Sequence, residues 1–444
     1  MSPLRNHHTT LRFAIIGVIV LSMLIPLAMV DGVTEERQQY FDATVRDIAT
    51  AWGEAQTLAG PFLVIPEIHR HQVKQKNGEL VWRERTVDRI YLPQDLKLKV
   101  VIEHQTRRRS IYEVPVYQAR IEASGQFAAL DPAEENLEHL ERTPVTRRLD
   151  ATRVVLGISH TQAISSVSPL KTGEESVSFR AGTGQSWLGS GVHAPLASLT
   201  PGKSIPFELN LDLKGTGQFS FTPVGDATAV QMASSWPHPS FSGRYLPDRY
   251  AIDPQGFTAE WRVHELARNL PGSWLADAAE ISISEGSASV AMFQPLTGYR
   301  MVDRAIKYGL LFVALTFLAF VCFELTTGIR FHAVQYGVIG SALVLFYLAL
   351  LSLSEHLDFT TSYIIATALL TGTISWYLWV MARRTSLCLW IACILVALYF
   401  TLFVLLRLEA YALLAGSAAL FLGLFALMYT TRTLTEPAVE PVTA

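Results

Sequence analysis

Long apolar runs are the feature of this sequence that most limits how the chain can fold. One run covers residues 13–30 without a charge, and five more follow one another near the end of the chain. Each holds about 18 to 21 residues, which at 1.5 Å rise per residue matches a hydrocarbon core of about 30 Å. A single buried helix of a soluble enzyme can be this apolar, but five in succession with short loops favour a membrane bundle. We therefore predict six transmembrane helices, an anchor at 13–30 and five within 301–430, over residues 306–323, 334–353, 362–381, 386–406 and 410–429.

Basic residues in the short connecting segments predict the orientation of these helices. Four segments that fall on one side of the membrane carry arginine, at positions 5 and 12, 330, 383 and 384, and 432. By the positive-inside rule that side is the cytoplasm, so both terminal segments, 1–12 and 431–444, are expected there. The long insert from residue 31 to about residue 300 is expected outside. Three basic residues run against this trend, but they close a long domain, where the rule is weakest: Arg300, Arg304 and Lys307.

The first apolar run also has features of a secretory signal peptide, with a basic start and an apolar centre. Its apolar stretch is longer than a usual signal-peptide core, and the residues LAMVDG around its end, 27–32, offer no good small-x-small cleavage site. An uncleaved anchor at 13–30 is the better interpretation.

The exported insert has the sequence pattern of a mainly β domain. After a helical pattern over residues 31–53, the apolar period changes to two, and strands rich in Val, Ile, Tyr and Phe follow. No cysteine lies in the insert, so its own core must hold it together. We predict one or two β-sandwich lobes. A weak repeat, in which a long strand precedes Gly-Gln-Phe at 125–127 and again at 217–219, suggests possible lobes at about 58–145 and 146–298.

The segment SSWPHPSFSGRYLP, residues 234–247, is the densest local motif in the insert. Its prolines fix φ near −65° and favour extended geometry in the residues before them, so the stretch is stiff before tertiary contacts form. Large aromatic side chains can then anchor it. We predict a recognition or packing element rather than a catalytic site, made by Trp236, Pro237, His238, Pro239, Phe241 and Tyr245.

Polar residues at the ends of the apolar runs form a second set of candidates. Asp303 and Lys307 have the four-residue spacing of a helical ion pair. Glu324 lies about 25 Å along the same helix from Lys307, so the two are expected at opposite membrane interfaces. Glu355 and His356 lie in the loop after the third run, where a polar surface loop is favoured over a proton relay or hydrolase site.

Several function classes receive no support from the residues. The net charge of −3 gives no basic footprint for nucleic acid. His69 and His71 share one strand face without recognisable further metal ligands, so a solvent-facing pair is favoured. The glycine-rich stretch 182–195 precedes no helix that could present amides to a phosphate, which favours a loop between strands. We also find no GxSxG or HExxH motif, and we predict no cofactor or metal site.

Four long segments resemble the CreD family of bacterial inner-membrane proteins, associated with cell-envelope integrity. They are LAGPFLVIP at 58–66, SSWPHPSFSGRYLP at 234–247, and the runs at 303–325 and 332–356. The resemblance implies that the insert is periplasmic, and that the protein is under two-component regulation and linked to tolerance of colicins or β-lactams. It supplies no catalytic residues.

Three functions remain as hypotheses. The first is a non-enzymatic envelope protein whose partners are the lipid bilayer and unknown envelope proteins or lipids. The second is a membrane enzyme acting on lipid-linked or peptidoglycan intermediates through Glu355, His356 or His238. The third is a transporter, for which the few polar residues available to line a path are Ser341, Thr367, Thr371, Thr373 and Ser375. The sequence leaves the oligomeric state open.

Overall fold

The computed structural model describes residues 14–74, 80–130, 145–196, 199–200, 202–277, 283, 286–292, 298–327, 331–408 and 412–432. It divides into a helical unit, Met1–Asp42 with Leu296–Ala444, and a β unit, Ala43–Pro295. The predicted cytoplasmic segment 1–12 lies outside the described residues, as does nearly all of 431–444.

The described part of the β unit forms two sheets. In the first sheet the order is β10 (Arg180–Ala181), β11 (Gly191–Pro195), β6 (Arg153–Ile158), β1 (Gln56–Lys74), β13 (Gln218–Thr222), β19 (Ala288–Met292) and β15 (Pro239–Gly243). Three further strands complete this sheet. Strands β2 (Leu80–Tyr91) and β5 (Val145–Arg147) pair with β1, and β18 (Ser273–Leu275) pairs with β2. Most of these pairings are antiparallel, but β1 and β13 run parallel.

In the second sheet the order is β16 (Arg249–Asp253), β17 (Gly256–His264), β14 (Ala227–Ser234), β3 (Pro93–Arg109), β4 (Tyr112–Phe127), β12 (Ile205–Thr216), β8 (Leu170–Thr172) and β9 (Glu175–Val177), with β7 (Ile164–Val167) also against β12. One short helix, α3 (Glu265–Arg268), follows β17. In strand β12 buried apolar residues alternate with more exposed polar residues, and this period of two is the pattern that predicts a strand from sequence.

One hydrophobic core lies between the two sheets. Tyr117 of the second sheet meets Phe219 of the first edge-to-face at 6.5 Å between ring centroids, and Phe221 meets Trp261 at 5.3 Å. Strands β4 and β12 come from opposite sides of the suggested lobe boundary, yet they pair along the full length of β12. The division into lobes at 58–145 and 146–298 is therefore wrong for the described strands, since each sheet and the shared core take residues from both.

The Gly-Gln-Phe motifs also occupy different positions in the two sheets. The first motif ends β4 in the second sheet, whereas the second motif opens β13 in the first sheet. The suggested internal repeat therefore has no structural counterpart at these motifs.

A close fit between two strands fixes the centre of this core. Tyr117 is fully buried, and its hydroxyl donates a hydrogen bond to the backbone oxygen of Gln218 at 2.7 Å. Burial raises the pKa of this phenol far above its ordinary value, so it stays a neutral donor. Gly215 is the cross-strand neighbour of Tyr117, and a Cβ atom there would overlap the phenol ring. The strand therefore requires glycine at position 215 for space rather than for backbone freedom.

Replacing Gly215 with alanine tests this fit. We expect Gly215→Ala to destabilise the protein by about 2 kcal/mol, because a buried ring in a packed core cannot yield to the new methyl group. Gly272→Ala is the matched control, since a Cβ atom at Gly272 meets no atom within 4 Å. Apparent thermal unfolding of the full chain in detergent measures both variants. Equal melting temperatures for the two variants would contradict the packing argument.

In the described residues of the helical unit, each predicted apolar run is mainly helical. Residues 14–22 form α1 and Leu24–Trp52 forms α2, with a turn at Met23 between them. The others are α4 (Gly298–Lys307), α5 (Gly309–Thr327), α6 (Ala333–Ser354), α7 (Phe359–Ala382), α8 (Thr385–Arg407) and α9 (Ala412–Thr431). Among the described residues four helices are long and apolar enough to cross a bilayer: α1 with α2 counted as one helix, α6, α7 and α8. The number is five if α4 and α5 count as one bent span. The apolar part of α9 is shorter, at Leu414–Tyr429.

The second predicted span is not one straight helix. A break at Tyr308 separates α4 from α5, and the two segments differ in direction by 51°. Gly309 follows the break and lies close to Leu27 and Tyr347, leaving about 3.0 Å to a Cβ atom placed on it. Glycine is a common site of sharp helix kinks, and this one also permits a close approach between helices.

Candidate functional site

The proline-rich segment 234–247 connects the two sheets of the β unit. It leaves β14 at Ser234 and enters β15 at Pro239, which starts a strand and so needs no ladder N–H at that position. Between the strands, the Trp236 indole donates to the backbone oxygen of His238 at 3.1 Å and meets His104 edge-to-face at 5.4 Å. Ser235 Oγ lies 2.7 Å from Nδ1 of the same His104. The segment is thus held by its own indole and by strand β3.

Its other two aromatic residues pack onto the core. Phe241 contacts Phe257 and Trp261 edge-to-face at 5.7 and 5.9 Å. The Tyr245 hydroxyl donates to the backbone oxygen of Ala267 at 3.0 Å, while the Trp261 indole donates to the backbone oxygen of Tyr245 at 3.3 Å. These contacts give Phe241 and Tyr245 a packing role in the geometry of the β unit.

His238 points away from this packing. Its side chain is exposed and forms no hydrogen bond or ion pair with any described residue. Its function in recognition stays a prediction.

The histidine pair on β1 is not solvent-facing as predicted. His69 and His71 are both half-buried, and Nε2 of His69 lies 3.4 Å from a carboxylate oxygen of Glu67. That carboxylate is itself buried and accepts hydrogen bonds from Arg89 at 2.9 Å and Arg147 at 3.2 Å. Within the described ranges no group of three or more His, Cys, Asp or Glu is arranged to hold a metal ion. Sequence reasoning missed this buried cluster, although an acidic residue inside the apolar stretch GPFLVIPEI was a signal for it.

The glycine-rich stretch forms a loop against the first sheet, as predicted. Gln185 is buried there, and its amide donates to Asp88 at 2.6 Å. Trp187 in turn packs edge-to-face on Phe62 at 5.1 Å. The loop therefore covers part of the sheet.

A polar cluster at one end of the helical unit brings three helices together. The carboxylate of Glu355, at the end of α6, lies 3.5 Å from the guanidinium Nε of Arg37 on α2. It also accepts a hydrogen bond of 3.4 Å from the hydroxyl of Tyr299 on α4. Glu355 is largely buried, whereas Arg37 is half exposed. We call Arg37, Tyr299 and Glu355 the Glu355 cluster.

The ion pair predicted from the spacing of Asp303 and Lys307 is present, with 2.7 Å between Nζ and Oδ2. It lies on α4, the helix that also carries Tyr299. On the same helix, Arg304 donates to the backbone oxygen of Leu406 at 3.2 Å and so caps the end of α8. Most charged side chains of α4 therefore serve contacts within the helical unit.

A cleft of about 360 Å³ lies between α2 and α4 beside this cluster. Its walls combine two carboxylates, one guanidinium, two amides, a hydroxyl and a phenol. The lining residues are Thr34, Glu35, Gln38, Gln39, Tyr299, Arg300 and Asp303. Of the predicted site residues it includes Asp303 alone.

The neighbouring residues Ser354 and His356 do not join Glu355 in a catalytic arrangement. The Ser354 hydroxyl donates to the backbone oxygen of Leu350 at 2.6 Å, and His356 is exposed. Asp358 caps the start of α7, where hydrogen bonds from Thr361 hold the pKa of its carboxyl below the ordinary value. The loop is thus a structural connection between helices.

At the other end of α5, Glu324 accepts a hydrogen bond of 2.9 Å from the hydroxyl of Tyr336 on α6. The residues suggested for a transport path divide into two groups. Ser341 and Thr373 are exposed, and Ser341 bonds to its own helix. Thr367, Thr371 and Ser375 lie four residues apart on α7, and their hydroxyl oxygens are buried.

Comparison with known proteins decides the family. A family model described as Inner membrane protein CreD matches residues 8–435. The Inner membrane protein CreD of Escherichia coli (strain K12) is 32% identical over 417 residues, which cover 93% of this chain and 90% of that protein. The chain belongs to the CreD family. The resemblance predicted from four segments is therefore confirmed, and with its apolar helices the chain is a multi-pass inner-membrane protein.

Solved structures add no functional information to this CreD-family chain. Two structures of an M1 zinc metallopeptidase from Deinococcus radiodurans, one of them a mutant, cover 79% of this chain and 96% of theirs at 10% identity. Their TM-scores are 0.22 and 0.21.

Because Glu355 contacts two other helices and His356 is exposed, we expect replacement of Glu355, but not of His356, to lower the stability of the protein. We expect Glu355→Ala to cost about 1 kcal/mol, because Arg37 and Tyr299 lose their acceptor while the exposed half of Arg37 limits the loss. The apparent Tm of the detergent-solubilised chain should fall by a few degrees. His356→Ala, one residue away and exposed, should leave it unchanged. A Tm of Glu355→Ala equal to that of His356→Ala would show that the cluster does not hold the helices.

Proposed function

We propose that this protein is a non-enzymatic membrane protein that helps to maintain the bacterial cell envelope. In this proposal a β-sandwich in the periplasm acts through contacts with other envelope proteins or lipids, and the helical unit anchors it. Its synthesis is under two-component control, and its loss alters tolerance of envelope stress, including colicins and β-lactams.

The observation that carries the proposal is the relationship to the E. coli protein over nearly the whole of both chains. A similarity confined to either unit would favour a shared anchor or a shared binding module. Because the match covers the β unit and the helical unit together, we propose that the function needs both. The contacts of the predicted site residues support the same view, since Phe241, Tyr245 and Glu355 all serve packing or ion pairing within their units.

We further propose a topology of six spans with both termini in the cytoplasm and residues of about 31–300 in the periplasm. In this topology α4 and α5 form one bent span, and α9 is the last. The support is the distribution of basic residues in the short connections, most clearly Arg383 and Arg384 between α7 and α8. Glu355 and the Asp303–Lys307 pair then lie at the periplasmic ends of their helices, and Glu324 lies at a cytoplasmic end.

Cysteine labelling in intact cells tests this topology. The three native cysteines, at 322, 388 and 393, are first replaced by serine or alanine. Ser204→Cys, in the exposed loop before β12, should react with a membrane-impermeant maleimide in intact cells. Ser386→Cys, exposed near the start of α8, should react only after the inner membrane is permeabilised. The reverse pattern would overturn the orientation, and labelling of both positions in intact cells would overturn the six-span count.

The enzyme hypothesis can require His238 or His356 for catalysis, whereas this proposal requires neither. His238 and His356 are exposed in their units, so a structural account expects their replacement to be silent. We expect His238→Ala and His356→Ala, alone or combined, to restore envelope tolerance fully in a deletion strain. Protein levels are matched by immunoblotting. Loss of complementation at normal levels would favour catalysis or direct recognition by the affected histidine.

A further inference from the structure

The cleft between α2 and α4 lies at the depth of lipid head groups. The apolar run that enters α2 ends at Val30, and Glu35 follows five residues later, about 8 Å along the helix. Helix α4 directly precedes the apolar α5. Since the polar layer of a bilayer extends several ångströms beyond its hydrocarbon core, side chains at this distance meet head groups rather than acyl chains.

Charges of both signs surround the cleft. Glu35 and Asp303 supply carboxylates, and Arg300 supplies a guanidinium. Lys307 adds a second positive charge through its ion pair with Asp303. The four formal charges sum to zero, so a net anion or a net cation gains little from the site as a whole. A molecule with one positive and one negative group can match both signs.

Gln38 indicates what the positive group must offer. The amide nitrogen of Gln38 donates to the carboxylate of Asp42 at 3.0 Å, which fixes the orientation of the amide because a carboxylate can only accept. The amide oxygen is then an acceptor, and this atom is buried without a donor among the described residues, in a side chain that lines the cleft. A buried acceptor without a donor is costly, so the ligand should bring an N–H or O–H group.

We infer that the cleft binds the phosphoethanolamine head group of a membrane phospholipid. The primary ammonium donates to Gln38 Oε1 and is attracted by Glu35, while the phosphate is attracted by Arg300. A phosphocholine group has no N–H to donate, and a phosphoglycerol group has no positive charge. The volume of about 360 Å³ is near the lower end for ligand pockets, which suits one head group rather than an oligosaccharide.

This inference goes beyond the proposed function and does not depend on it. A protein with any role in the envelope can carry a lipid site, and the site can be tested without a phenotype. Failure of lipid binding therefore leaves the complementation and labelling experiments unaffected.

Lipid retention by the purified full chain tests the site. The protein is placed in nanodiscs with equal amounts of phosphatidylethanolamine, phosphatidylcholine and phosphatidylglycerol, released into detergent, and analysed by native mass spectrometry. We expect severalfold enrichment of phosphatidylethanolamine over the other two lipids. Glu35→Gln and Gln38→Leu should each abolish that enrichment, because each removes one charged or buried hydrogen-bond acceptor for the ammonium.

The matched control is Glu36→Gln. Glu36 is the next residue on the same helix and exposed, but it does not line the cleft. It should retain phosphatidylethanolamine like the unmodified chain, and apparent Tm values confirm that all variants are folded. Equal retention of the three lipids, or equal loss in Glu35→Gln and Glu36→Gln, would overturn the inference.

A second arm distinguishes a lipid from a soluble source of the same head group. Soluble phosphoethanolamine is added to the chain in nanodiscs containing phosphatidylcholine alone. Weak binding that phosphatidylethanolamine displaces supports the lipid as ligand. Tight binding of the soluble compound without phosphatidylethanolamine enrichment would overturn the lipid assignment and give the site to a soluble zwitterion.

Discussion

The bilayer's inability to hydrogen-bond with a polypeptide backbone is the constraint on which the helical unit depends. Each apolar run must satisfy its own N–H and C=O groups, so each becomes a helix, and charged side chains are driven to the helix ends. The clearest examples are two sets of contacts near helix ends. Glu355 contacts Arg37 and Tyr299 near one end of α6, and Glu324 contacts Tyr336 near the other end. These contacts add to van der Waals packing between the helices, because the hydrophobic effect supplies no driving force for association inside lipid.

The β unit meets a different constraint, because it has no disulfides and must rely on one large core. Its long strands interleave between two sheets, so the core closes only when residues distant in sequence have paired. The end of α2 is fixed to this unit by Trp52, whose indole donates to the backbone oxygen of Tyr117 at 3.2 Å. Arg107 and Lys214 lie over the same ring at 4.1 and 4.7 Å. Residues 43–52 at the end of α2 therefore belong to the β unit.

Local patterns predicted the elements well, and long-range contacts could not be predicted. Alternation in β12 and the apolar run of α6 reveal strand and helix directly, because each depends on residues close in sequence. The parallel pairing of β1 with β13 joins strands from the two predicted lobes, and the sequence of either strand alone does not indicate it. The local pattern therefore could not exclude a division into lobes. The Asp303–Lys307 pair followed from helical spacing, whereas the contact of Arg37 with Glu355 joins positions that no local pattern relates.

We propose that the protein acts by contact rather than by turnover, and these two modes differ in stoichiometry. One copy of an enzyme can process many substrate molecules each second, whereas a contact is made once per copy. The most direct measurement is envelope tolerance in a deletion strain as the number of copies per cell is titrated from zero to the chromosomal level. The account predicts that rescue declines in proportion as the copy number falls below the normal level. Full rescue at a few per cent of normal copies would contradict it.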